Sequence, residues 1–213
     1  YRAVDSEKRV MIGYKAGYNA TGSNNTFVGG KAGKGGQTSA PYSSGQYNTA
    51  IGKGALYAFT TAGNNTAIGH ESSQAITIGS DNVSLGYKAL YSEDVGSRAV
   101  AIGSHALYTQ NMDSDYEINN IGIGYYSGYH NVTGTGNTWL GYQAGLGASN
   151  ESNSNNVGIG YQSLLSVTTG GSNVAVGYQA LTALTSGAEN TAIGYQAGQE
   201  ITTKNRNTII GYE

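Results

Sequence analysis

The sequence predicts an all-β protein, a parallel β-roll or β-solenoid of about twelve 17-residue coils. Three observations carry that prediction. A nine-residue phrase keeps returning, as NTAIGYQAG at 190–198, NTWLGYQAG at 137–145, NVAVGYQAL at 173–181 and NTFVGGKAG at 25–33. A glycine preceded by an aliphatic residue stands at Gly13, Gly29, Gly52, Gly69, Gly86, Gly103, Gly124, Gly141, Gly160, Gly177, Gly194 and Gly211, and seven of the eleven intervals are 17 residues. The composition suits a turn-rich repeat: 34 glycines, one proline (Pro41), no cysteine and 11% charged residues among 213. A fixed period of this length is the mark of a solenoid.

Residues 1–9 are expected to be a lead-in or partial coil, and residues 10–213 the repeat domain. Within each coil the columns have separate tasks. The residue one before the anchor glycine is Ile, Val or Leu in all twelve copies, and the residue three before it is Val, Thr or Ile in all twelve. Two positions apart on a strand, they share a face. The expectation is an inward-facing β-branched stripe on a half-buried strand. The residue between them is mostly small (Ala50, Ala67, Ser84, Ala101, Gly122) and is expected to point outward, either toward a neighbouring chain or into solvent. Phe27 and Trp139 share that column. The anchor glycine then turns the chain. A small residue three places on and Gly or Leu after it would let a second short strand pack close, and Gly, Ser, Thr and Asn make the return turn. The stretch AITIGSDN at 75–82 looks like an additional motif-like strand within one coil.

Asparagine stands four before the anchor in ten copies, Arg9 and Ala99 excepted. Stacked amides can form a ladder or close each turn locally. Tyrosine follows the anchor in eight copies, and its rings should stack along the rod. A structural ladder and a sugar-binding aromatic strip both fit.

Several function classes lose support. The net charge is −2, and no basic residue occurs between Arg98 and Lys204, so nucleic acid is not an expected partner. No apolar run approaches the roughly 20 residues of a membrane span, and without cysteine there is no thiolate metal site. GIGYYSG at 122–128 lacks the spacing of a nucleotide loop. His70, His105 and His130 fall at three different offsets, so no column repeats a catalytic base. No catalytic residue, cofactor or metal site is assigned. The Thr26, Thr49, Thr66, Thr138, Thr191 and Thr208 column suggests ice binding, but it alternates with Val and Ile as a buried position does.

Loops inserted on a rigid scaffold are the better candidates for recognition. They lie near 34–47, with Tyr42 and Tyr47; near 111–119, with Asp113, Asp115 and Tyr116; and near 146–155. The acidic alternation could offer oxygens to calcium or be a solvated loop. Tyr126, Tyr129, His130 and Trp139, with Tyr125, make the densest aromatic patch. Such a patch could stack on sugar rings or pack against the loop.

The pattern N-[TV]-[AG]-[IV]-G-Y-Q-[AS]-[GL], covering Val10 to Gly211, resembles the head repeats of YadA-type trimeric autotransporter adhesins. It is closer to the NTAIGYQA-type repeats of bacteriophage tail fibres. The longer period and the Tyr-Gln after glycine favour the fibre branch. The resemblance implies a left-handed roll assembled as a homotrimer, on a virion or cell surface, without enzymatic activity or membrane insertion. It implies engagement of a surface polysaccharide or outer-membrane receptor, with a bacterial adhesin head as the alternative.

Overall fold

The computed structural model describes residues 8–36, 39, 42–114, 117–148 and 151–212. Among these residues twelve three-residue strands follow one another: β1 (Val10–Ile12), β2 (Thr26–Val28), β3 (Thr49–Ile51), β4 (Thr66–Ile68), β5 (Val83–Leu85), β6 (Val100–Ile102), β7 (Ile121–Ile123), β8 (Thr138–Leu140), β9 (Val157–Ile159), β10 (Val174–Val176), β11 (Thr191–Ile193) and β12 (Thr208–Ile210). They form one parallel sheet in sequence order. The register matches the repeat column for column: Thr49 pairs with Thr66, Ala50 with Ala67 and Ile51 with Ile68. The long insertion before β3 leaves the pairing intact, since Thr26 still opposes Thr49. The chain is a β-solenoid.

Each coil holds one strand, where the sequence suggests two. The small residue after the anchor and its neighbours form a turn, and isolated bridges at Ala20–Ser43, Ser97–Glu117 and Asn131–Glu151 are the other β pairings among the described residues. Residues 75–82 contain no strand. Ile76 is buried inside, and the Gly79 carbonyl accepts a 2.9 Å bond from Asn65 Nδ2, as Gly96 does from Asn82. That stretch is an ordinary return turn.

The faces of the sheet are the reverse of the expectation. The middle residue of the strand is the buried one: Phe27, Ala50, Ala67, Ala101, Trp139, Ala175 and Ala192 have no exposed surface. The flanking β-branched columns look outward, with Leu85 45%, Leu140 43% and Ile193 40% exposed. The coil is too thin to hold both aliphatic columns. Inside, the middle residue meets the turn opposite, and the two positions exchange volume. Where the strand carries Met11, Phe27 or Trp139, the turn carries Gly17, Gly33 or Gly145, and a Cβ on any of these glycines would strike that side chain. Where the strand carries Ala50, Ala101 or Ala175, Leu56, Leu107 and Leu181 fill the space. Trp139 reaches across coils, since Cβ atoms at Gly128 and Gly158 would come within 2.6 and 2.8 Å of its ring.

The anchor glycines have φ between +126° and +141°, which side chains rarely adopt. A Cβ at Gly86 would lie 2.6 Å from the Gly103 carbonyl oxygen, so each anchor touches the peptide of the next. The asparagines form a ladder inside the coil. Asn173 is typical: its N–H donates to Asn156 Oδ1 (2.9 Å), its Nδ2 to the Gly187 carbonyl (2.9 Å), and its Oδ1 accepts the Asn190 N–H (3.0 Å). At the first exception, Arg9 Nη1 reaches the Ala20 carbonyl at 2.9 Å. At the second, Ala99 still donates its N–H to Asn82 but offers no amide in return. Beside that gap the neighbouring inward column turns from apolar to polar. Phe59 and Ile76 give way to Glu93, Gln110 and Asn131 before Val167 and Leu184 resume. Gln110 Oε1 accepts from Asn120 Nδ2 at 2.7 Å, joining this column to the ladder.

Gly86→Ala should lose about 3 kcal/mol or more in urea denaturation, from strain and close approach together. Gly30→Ala, where a Cβ would meet nothing within 4 Å, should stay within about 0.5 kcal/mol. Trp139→Ala should cost about 3–5 kcal/mol; an unchanged midpoint would contradict the packing described.

Candidate functional site

The turn after each anchor exposes three side chains, one, two and five residues on. The residue two places on is left-handed in coil after coil, with φ of 53° at Lys88, 58° at His105 and 57° at Tyr126. This conformation is therefore the rule of the column, not local strain. Its N–H donates to the coil before, as His105 does to the Tyr87 carbonyl at 2.9 Å. Three columns thus form one face, and residues far apart in sequence become neighbours.

After β5, β6 and β7 that face is aromatic. Tyr91, Tyr108 and Tyr129 stack at 5.1 and 5.0 Å with interplanar angles of 8° and 4°. His105 lies among them, with centroids 5.0 Å from Tyr87, 5.2 Å from Tyr108 and 4.9 Å from Tyr126. Tyr126 and His130 each lie 4.6 Å from Tyr129. Lys88 Nζ sits 4.9 Å from the Tyr91 centroid and 3.6 Å from Glu71 Oε2. Burial, with Lys88 nearby, lowers the His105 pKa, and burial lowers that of His130. Burial raises the Tyr129 phenol, with Tyr108 adding to it. At neutral pH the patch is therefore an uncharged surface of rings and hydroxyls beside one paired cation, suited to a polyol.

The residues Tyr126, Tyr129 and His130, singled out from the sequence, are together here. Trp139 is not with them; it is wholly buried and belongs to the core. Tyr42 and Tyr47 are exposed but precede β3, several coils away. Asp113 is exposed, while Asp115 and Tyr116 lie outside the described residues. Among the described residues no three His, Cys, Asp or Glu gather as metal ligands. Tyr91 and Tyr108 are not singled out in the sequence, and Tyr87 and His105 are read there only as members of separate columns, because the patch crosses columns. Their signal is aromatic residues at these three offsets in consecutive coils.

Beyond the patch, Tyr125, Tyr142, Tyr161, Tyr178, Tyr195 and Tyr212 stack at 5.0 to 5.5 Å. Beside them Gln143, Gln162, Gln179 and Gln196 link Nε2 to Oε1 at 2.9, 2.9 and 3.2 Å. Each ring covers its neighbour's face, which leaves edges and hydroxyls to solvent. A structural ladder fits this geometry better than a sugar-stacking strip. Comparison of the chain with protein-family models, curated proteins and solved structures finds no match. No helix among the described residues is long and apolar enough to cross a membrane.

Two residues after Tyr91, Glu93 is fully buried. Its Oε1 accepts the Gly96 N–H at 2.6 Å and the Val95 N–H at 3.1 Å, while Oε2 has no partner. Burial raises its pKa from the ordinary value near 4.5. Between the unfolded and the raised folded pKa the folded state holds a proton that the unfolded chain releases, so this group's contribution to stability falls as pH rises above about 4.5. Glu93→Gln removes that titration. In urea denaturation at pH 4.5, 6 and 8 the variant should gain on the wild type as pH rises above 4.5, and a pH-independent difference would contradict the assignment.

Proposed function

We propose that the chain is a structural and receptor-engaging segment of a homotrimeric attachment fibre of the bacteriophage tail-fibre type. It would be displayed on a virion and act by binding, without enzymatic activity. The observation that carries this reading is the outward aliphatic stripe. Ile51, Val83, Leu85, Ile121, Leu140 and Ile193 are each 37 to 45% exposed along one sheet face, in columns that hold only Thr, Val, Ile and Leu. An uncharged apolar face of this length marks an association surface. The occupant that matches it is another copy, whose coils carry the same columns at the same spacing. The three-fold order comes from the resemblance of the repeat to trimeric fibres and adhesin heads.

In such an assembly the aromatic patch around His105 would be presented in triplicate. Weak contacts to a surface polysaccharide would then add through multivalency. An adhesin head on a bacterial surface would use the same geometry, and the flanking sequence distinguishes the two. A second reading also has an observation behind it: the threonine column is half-exposed, at Thr26, Thr49, Thr66, Thr138 and Thr191. A lone solenoid with this outward face would suit an ice-binding surface.

Light scattering decides between them. The trimer predicts 66 kDa (3 × 22.0), and Leu85→Asp with Leu140→Asp should shift the mass toward one chain while circular dichroism stays unchanged. A wild-type mass of one chain would remove the fibre reading, and thermal hysteresis would then be the next measurement.

A further inference from the structure

The first coils carry a second surface, which differs from the aromatic patch in its charge. Nine of the eleven Lys and Arg lie in residues 1–106. Of these, Lys15, Lys31 and Lys34 fall on the exposed turns after β1 and β2. Lys15 and Lys31 occupy the same column in consecutive coils, and the Lys31 N–H donates to the Tyr14 carbonyl at 2.7 Å. Lys34 occupies the column of Tyr18 and Tyr57. Its Nζ lies 3.1 Å from the Tyr57 hydroxyl and 4.8 Å from the ring centroid. Lys15 Nζ lies 5.4 Å from the centroids of both Tyr14 and Tyr18. Among the described residues, no carboxylate lies within ion-pairing distance of these three ammoniums.

The same columns solve the charge problem differently elsewhere. Farther along, the Lys15 column pairs Glu71 with Lys88 at 3.6 Å. Later still it becomes the neutral ladder of Gln143 to Gln196. Stacked like charges repel, and among the described residues these first coils keep lysines in succession without a counter-charge. The three cations also act on one place. The hydrogen bond from Lys34 lowers the Tyr57 phenol, burial opposes it, and the charges of Lys34, Lys31 and Lys15 lower it further.

The rings here differ from the C-terminal ladder as well. Tyr14 and Tyr18 are 69% and 67% exposed. The residue following Tyr14 in its column is Gly30, where a Cβ would meet nothing within 4 Å. No ring therefore follows Tyr14 in its column, whereas Tyr142, Tyr161 and Tyr178 are each covered by the next ring.

We propose that Tyr14, Lys15, Tyr18, Lys31, Lys34 and Tyr57 form a binding site for an acidic glycan. A sugar ring would rest on the exposed rings of Tyr14 and Tyr18, and its carboxylate or phosphate would accept charge-assisted hydrogen bonds from the ammoniums. The site lies on the turns, outside the aliphatic columns, and stands independently of the fibre reading.

Biolayer interferometry on the whole chain tests it with four probes: an oligogalacturonate, a phosphorylated mannan, a neutral dextran and inorganic polyphosphate. The two acidic glycans represent the two sources of anion. Binding of at least one, with neither dextran nor polyphosphate matching it, is the expected result, and binding should weaken with added salt. Lys15→Gln with Lys31→Gln and Lys34→Gln should lower affinity about ten-fold or more, while Lys204→Gln should not. Glutamine already occupies the Lys15 column at Gln143 in the same left-handed conformation, so the triple variant should fold, with an unchanged circular dichroism melt as the check. Equal binding of polyphosphate would reduce the site to a charge patch and overturn the glycan assignment. Equal binding of dextran, binding of no probe, or full affinity in the triple variant would each overturn it too.

Discussion

Everything in this solenoid depends on the close approach of one glycine peptide to the next. With φ near +130° at every anchor, the chain leaves each strand in a direction that L side chains seldom permit. Because a Cβ would run into the following anchor's carbonyl, the coils come as near as backbone allows. That contact sets the in-register parallel pairing, since every strand begins three residues before its glycine. Insertions are tolerated for the same reason. The loops before β3, β7 and β9 lengthen the return path, yet the anchors still meet and the ladder does not slip.

A coil wound this tightly has little interior. The strand contributes one side chain inward and the turn two or three more, so volume must balance locally. Phe27 demands Gly33, and Trp139 demands Gly128, Gly145 and Gly158. Hydrogen bonding fills what apolar area cannot. The asparagine ladder satisfies buried amides from coil to coil, and an unpaired buried polar group would be costly. Where the ladder lapses at Ala99, Glu93, Gln110 and Asn131 bring polar atoms inward from the adjacent column. The substitution is incomplete, because one Glu93 oxygen stays unpartnered.

Much of this was legible in the sequence. The period, the strand before each anchor, the anchor glycines and the stacking of tyrosines follow from residues repeating in phase, whereas the second strand expected in each coil is a turn. The orientation of the strand did not follow, because alternation shows that two columns share a face without showing which face is inside. β-Branched residues suggest burial, and here they line the outside. The clue was compensation between columns: only inward positions need Gly33 opposite Phe27 and Leu56 opposite Ala50. Reading Trp139 as a recognition residue was the same error in one side chain. The patch around His105 was partly visible through Tyr126, Tyr129 and His130. Its other half, Tyr87, Tyr91 and Tyr108, was hidden because a column-by-column reading separates residues that the winding places side by side.

The backbone is nearly the same in every coil, so differences of function along the axis must lie in what the turn columns display. After β1 and β2 they display lysines with exposed tyrosine rings. After β5 to β7 they display a packed cluster of tyrosines and histidines. From β8 onward they settle into tyrosine and glutamine ladders that satisfy themselves. A self-satisfied ladder offers a ligand little: its ring faces are covered and its amides are bonded. The first region leaves lysine charge unmatched among the described residues, and the second gathers rings from several columns, with Tyr87 and His105 edge to face and His105 tilted against Tyr108 and Tyr126. On a scaffold held rigid by its glycines, those positions are where affinity for another molecule can arise without the fold having to move.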